Sequence, residues 1–218
     1  MSEQYDEHEQ SERVKQWLLK NGSNILTGVL LAVSAVAGWQ WWQGKQANQG
    51  QEAANQYQVF VQSIEKNDVA KAAVLGDAFI KNYADTDLAF LASLRLAKLH
   101  LNDGKPELAA KALESAQPLA HGKQNLELLK IRKAQLAQSQ VKWDDATAIL
   151  DSFTPEFYQA TYEEMRGDIA LAKNQREQAA KHFQSALAKL DPTASSRALI
   201  EMKLSEAGGS AAGTSEIR

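Results

Sequence analysis

From Ile25 to Trp42 the chain reads ILTGVLLAVSAVAGWQWW, eighteen positions without a charge. Thr27, Ser34 and Gln40 are the polar exceptions, and the first two can return their hydroxyls to carbonyls of their own helix. A helix of this length rises roughly 27 Å, about the thickness of a bilayer's hydrocarbon core. It is apolar on every face, whereas a helix on a soluble core is apolar along one stripe. The pattern therefore predicts a single transmembrane helix over residues 24–43. Trp39, Trp41 and Trp42 gather at its exit and are expected at the membrane interface, where amphipathic rings favour the headgroup layer. Lys20 and Lys45 flank the span and can reach outward.

Residues 1–23 form an N-terminal segment. Residues 1–12 are acidic, show no apolar period and are expected to be mobile. From Arg13, Val14, Trp17 and Leu18 recur at i, i+3 and i+4, so a short helix either lies on the inner leaflet with Trp17 at the interface or extends the span. Asn21-Gly22-Ser23-Asn24 is expected to interrupt the helix, with Ser23 or Asn24 capping the next one. Arg13, Lys15 and Lys20 precede the span, while Lys45 is the only base after it until Lys66. This bias predicts a cytoplasmic N-terminus and a C-terminal part on the other side, the periplasm in a bacterium. The competing expectation is a signal peptide cleaved after Ala35-Val36-Ala37. Against it, residues 1–23 hold five acids and three bases, and cleavage leaves three tryptophans on a soluble end.

Beyond Gly50 the pattern changes from a continuous apolar run to a helical period, and it repeats. Ala97, Ala109 and Leu113 recur as Ala134, Ala146 and Leu150, and again as Gly167, Ala179 and Phe183. A weaker frame runs Phe60, Ala72, Gly76, Phe79. Successive frames of this length predict a solenoid of helix pairs over residues 44–206. The small residues are expected to meet where the two helices of a pair cross, with the large residue filling space under the next pair. Turns are predicted at 102–106, 139–142 and 173–175, with Asp103 or Gly104 capping a helix that Pro106 starts. Leu190-Asp191-Pro192 is expected to end the last full pair. Residues 207–218 lack a period and are expected to form a disordered tail.

Composition agrees with an all-α chain: among 218 residues there are four prolines and twelve glycines. A net charge of −3 and a pI near 5.9 argue against general nucleic-acid binding. The absence of cysteine excludes disulfides, thiol catalysis and thiolate metal sites.

The chain carries no pattern of a catalytic or cofactor site, and neither metal nor cofactor is expected. His8, His100, His121 and His182 are not spaced as ligands, and His100 and His182 fall within repeat helices as packing or surface residues. Asp144-Asp145 and Glu163-Glu164 are adjacent on helices, diverge by about 100°, and are expected to be solvated. What remains is surface. One residue past each small position lie Lys98, Gln135 and Asp168; four past lie Leu101, Gln138 and Leu171. On a concave face these six would form a partner groove suited to a protein segment.

The segment Gly167–Pro192, GDIALAKNQREQAAKHFQSALAKLDP, resembles the tetratricopeptide repeat, with Ala179, Phe183, Ala186 and a closing proline in place. At the scale of the chain, RVKQWLLKNGSNILTGVLLAVSAVAGWQWW, AFLASLRLAKLHLNDGKPELAAKAL, LKIRKAQLAQSQ and RGDIALAKNQREQAAKHF resemble the YfgM family of ancillary subunits of the bacterial SecYEG translocon. That resemblance implies an inner-membrane protein with a periplasmic repeat domain. Its implied partners are SecYEG, a membrane-anchored periplasmic chaperone of the PpiD type, and a cytoplasmic response regulator of the RcsB type that it restrains. The implied role is to link emerging secretory chains to periplasmic chaperones without enzymatic activity. The alternative from another class is a repeat scaffold for a different cell-envelope assembly.

Overall fold

A computed structural model describes residues 3–209; the side chains of residues 3–11, 14, 16, 18, 24, 25 and 44–49 lie outside that description. All regular elements among the described residues are helical: α1 (Glu3–Glu65), α2 (Val69–Asn82), α3 (Asp87–Asn102), α4 (Pro106–Ser115), α5 (Gly122–Ser139), α6 (Trp143–Asp151), α7 (Gln159–Ala172), α8 (Arg176–Lys189) and α9 (Arg197–Glu206). The chain divides into two units, up to Glu52 and from Ala53.

In the first unit, Leu19–Gln43 is long and apolar enough to cross a membrane, and none of it is buried within the protein. Two sequence expectations are corrected here. Helix α1 begins at Glu3, within the segment expected to be mobile, and it passes through 21–24 without interruption. Asn21 does not end a turn: its amide Nδ2 donates to the Trp17 carbonyl at 3.0 Å, and the Thr27 hydroxyl donates to the Ser23 carbonyl at 2.8 Å. Side chains that bond one turn back are compatible with the helix they sit in. Trp17, Trp39, Trp41 and Trp42 are all exposed, and the rings of Trp39 and Trp42 lie 5.5 Å apart. The side chains of Val14, Leu18, Asn24 and Lys45 are outside the described ones.

The second unit is a stack of helix pairs: the end of α1 with α2 through Phe60 on Gly76 and Tyr57 on Phe79, then α3–α4, α5–α6 and α7–α8, closed by α9 on α8. Each pair is joined by a turn with one residue in the left-handed region: Asn67, Gly104, Val141 and Asn174. Their spacings of 37, 37 and 33 residues match the frames seen in the sequence. The same two bonds form in each turn. Asn67 N–H donates to Ile64 and Asp68 N–H to Ser63; Gly104 and Lys105 donate to Leu101 and His100. Val141 and Lys142 donate to Gln138 and Ala137, and Asn174 and Gln175 to Leu171 and Ala170. This closure satisfies carbonyls that a helix end leaves open. Pro106 is the first residue of α4 as expected, but its cap is Lys105 rather than Asp103 or Gly104.

The frame residues form the core. Ala109, Leu113, Ala134, Ala146, Leu150, Ala179 and Phe183 are all buried. At the two ends, however, a small residue meets an aromatic ring instead of another small residue. A Cβ on Gly167 of α7 would lie 2.6 Å from Phe183 Cδ1, and one on Gly76 of α2 would lie 2.9 Å from Phe60 Cε2. Phe183 thus reaches into its own pair as well as belonging to the cluster shared with α9. Phe60 occupies the register position held by Ala97, Ala134 and Gly167, and Gly76 that of Leu113, Leu150 and Phe183. The first and last full pairs therefore place a ring in the same gap from opposite helices.

Helix α9 covers the open face of α8 with fully buried Ile200 and Leu204. Residues 207–209, expected as the start of a tail, finish this helix. Ala207 is buried, and Gly209 N–H donates to the Leu204 carbonyl at 2.9 Å. Residues 210–218 lie outside the described ones.

Candidate interaction groove

A groove of about 540 Å³ lies in the N-terminal half of the repeat unit, between α3 and α5. Its walls follow from helical spacing. Leu94, Lys98 and Leu101 recur along one stripe of α3, and Leu128, Arg132 and Gln135 along one stripe of α5. Tyr57 of α1 and Leu113 of α4 lie behind them. The leucines Leu94, Leu101 and Leu128 are half-buried against the core, leaving one flank toward the groove.

Three cations stand at the rim: Arg95, Lys98 and Arg132. Arg95 Nε donates to the Tyr57 hydroxyl at 2.7 Å, with the guanidinium 5.7 Å from the ring centre. Arg132 donates to Gln135 Oε1 at 2.8 Å. Both partners are neutral, so each guanidinium is oriented while its charge stays uncompensated. Among the described residues, none of the three cations pairs with a carboxylate, and no acid lines the groove.

The six residues expected to share a groove separate into two sets. Lys98, Leu101 and Gln135 lie together in this one. Gln138 instead donates from Nε2 to the Met165 carbonyl at 3.0 Å, tying α5 to α7. Asp168 accepts from Lys203 of α9 at 2.9 Å, and Leu171 packs against the α8–α9 cluster. Helix α9 closes the stack on that side, which a frame ending at Pro192 did not include.

Ion pairs are concentrated in the C-terminal half. Lys203 bonds Glu164 at 2.7 Å as well as Asp168; Glu163 accepts from Lys189 at 3.1 Å and meets His182 Nδ1 at 2.8 Å. Lys173 bonds Asp144, and Arg166 pairs with Asp151. Glu163 and Glu164 are thus cross-helix partners, not the solvated face expected of them. Burial opposes the ionised Glu163, but hydrogen bonds from His182 and Lys189 outweigh it and hold its pKa below the ordinary glutamate value. Burial pushes the Asp168 carboxyl up, Glu164 and Glu206 add to this, and Lys203 offsets only part of it.

Sequence spacing also passed over Glu127, which is buried at the base of α5. Its carboxylate accepts three successive backbone N–H groups of the α6–α7 connection: Glu156 at 2.9 Å, Phe157 at 3.2 Å and Tyr158 at 2.6 Å. The available signal was an acid four residues before Ile131 and seven before Ala134, on the apolar stripe. This clamp holds the loop that presents Phe157, which is exposed beside Leu91 and His121 in a second, shallower depression. No group of three or more metal-ligating side chains converges among the described residues.

Comparison with known proteins bears on both units. A tetratricopeptide repeat-like domain matches residues 15–209. Ancillary SecYEG translocon subunits are similar over most of their length. That of Haemophilus influenzae is 25% identical, covering 85% of this chain and 91% of the relative. That of Escherichia coli is 27% identical, covering 91% and 95%, and that of Aggregatibacter actinomycetemcomitans 28%, covering 83% and 88%. The crystal structure of the APC/C hetero-tetramer Cut9-Hcn1 superposes with a TM-score of 0.58 at 19% identity over 71% of this chain and 29% of that one, a likeness of fold. With four turn-linked pairs in register and a match running from Lys15 through α9, this chain belongs to the tetratricopeptide repeat-like domain family.

Proposed function

We propose that this chain is a non-enzymatic ancillary subunit of the Sec translocon. In this reading residues 24–43 cross the inner membrane once, residues 1–23 face the cytoplasm, and the repeat domain of residues 44–206 works in the periplasm. There it links emerging secretory proteins to a membrane-anchored chaperone of the PpiD type. The cytoplasmic segment places the same molecule where it can restrain a response regulator of the RcsB type. The observation that carries the proposal is the extent of the likeness: three translocon subunits match over 83–91% of this chain. An apolar helix with no burial inside the protein and a repeat unit with a groove lined by leucines and cations support it.

The test is photo-crosslinking from positions along α3 and α5 in intact membranes, with affinity purification in mild detergent. Recovery of SecYEG and the chaperone is expected. Recovery of another envelope assembly in their place makes the chain a scaffold for that machine. Protease protection of α3–α9 in spheroplasts would overturn the orientation.

A further inference from the structure

We propose that the α3–α5 groove takes an acidic protein segment carrying leucine-like side chains, with carboxylates received by Arg95, Lys98 and Arg132. The inference rests on the reading of the repeat unit as a protein-binding module and names the chemistry of what it binds. The first support is charge. The chain has 27 acids and 24 bases, yet the groove presents three cations and no acid. The second is contrast within one fold. In α6–α9 the cations Arg166, Lys173, Lys189 and Lys203 each meet a carboxylate, whereas those of the groove meet none.

The third support is preorganisation. Tyr57 and Gln135 each occupy one guanidinium N–H and fix the plane, leaving the remaining donors of Arg95 and Arg132 for an incoming carboxylate. The fourth is the floor. Leu94, Leu101 and Leu128 offer apolar flanks in a space far larger than a small anion needs. Apolar anchors flanked by carboxylates satisfy both features, and complementary charge also speeds encounter.

The test uses the full chain in nanodiscs of neutral lipid and a fluorescein-labelled peptide of about 15 residues, with two leucines flanked by glutamates. A second peptide replaces each glutamate with lysine. Anisotropy is expected to show the acidic peptide binding about tenfold or more tightly than the basic one, with affinity falling as salt rises. The pair K98E and R132E is expected to reverse this preference. K181E, on the exposed face of α8, is expected to leave it unchanged. Should the double reversal lower helicity, K98Q with R132Q takes its place, with at least a fivefold loss expected.

Equal affinity for both peptides, indifference to the groove substitutions, or an equal effect of K181E overturns the assignment. Displacement of the peptide by short-chain phosphatidylglycerol at matched charge overturns it in favour of a lipid site. A chain that ignores the acidic peptide but still purifies with SecYEG loses only the groove assignment; one that does neither loses the proposed function as well.

Discussion

Gly167 of α7 lies against the ring of Phe183 in α8, with no room for a Cβ between them. Alanine is ordinarily the better helix former by about 1 kcal/mol. Here the added methyl must displace a fully buried ring, and overpacking of this kind costs about 1–3 kcal/mol. Gly167→Ala is therefore expected to destabilise the repeat unit by about 1 kcal/mol net in urea unfolding followed by circular dichroism. Adding Phe183→Leu should recover part of that loss. Additive costs in the double variant would show that the two residues do not share the gap.

Glu127 holds three backbone N–H groups that have no other described acceptor. Replacing it with leucine leaves those part-buried donors without a charged acceptor, at about 1–3 kcal/mol. The α6–α7 connection should then show faster amide exchange at Glu156, Phe157 and Tyr158. Protection equal to wild type would remove Glu127 from its clamping role.

Val141 carries a β-branched side chain at φ 61° in an exposed turn. That conformation costs an L-residue about 1–2 kcal/mol. The equivalent turns use glycine or asparagine. Val141→Gly is expected to raise stability by about 0.5–1 kcal/mol, after allowing for the looser unfolded chain. A lower melting temperature would contradict this.

The pKa of Glu163 is depressed on folding, so the stability it contributes is present above the ordinary glutamate value and lost as pH falls through the folded value. The wild-type chain should lose stability as pH falls below the ordinary glutamate value, and Glu163→Gln should lose less over that interval while being weaker at neutral pH. Lys203 behaves at the other extreme. Burial works against its ammonium, but the hydrogen bonds it donates to Asp168 and Glu164 outweigh this and raise its pKa. Its contribution is full below the ordinary lysine value and disappears as pH rises through the folded one. Denaturant titrations at acid, neutral and alkaline pH, on wild type and Glu163→Gln, separate the two contributions.

Much of the fold was legible in the chain because helix pairs are a local pattern. The small–small–large frame located buried positions in every pair from Ala97 onward, and Pro106 marked a helix start. The pairing of Phe60 with Gly76 was less visible, since the ring and the gap change places and a search for small residues at fixed positions ranks that pair as weak. Helix α9 lay inside the expected repeat region but was not placed as a packing element, because the frame ended at Pro192 and of its apolar residues Ile200 and Leu204 are buried while Leu199 and Met202 are exposed. Its absence misplaced Asp168 and Leu171. The groove was half legible: stepping from the small positions reaches Lys98, Leu101 and Gln135. Arg95 and Arg132 sit three residues before Lys98 and Gln135, on the same faces, and orientation by a distant Tyr57 leaves no local trace in sequence.

The unequal distribution of ion pairs along the stack has a consequence for how such a molecule can diverge. Reversing a charge in α7–α9 disturbs a neighbour within the same chain, so selection on folding restrains those positions. Reversing one at Lys98 or Arg132 breaks no ion pair among the described residues, and a visitor feels the change in charge. One half of the solenoid is thereby tethered to its architecture, and the other is free to follow a changing guest.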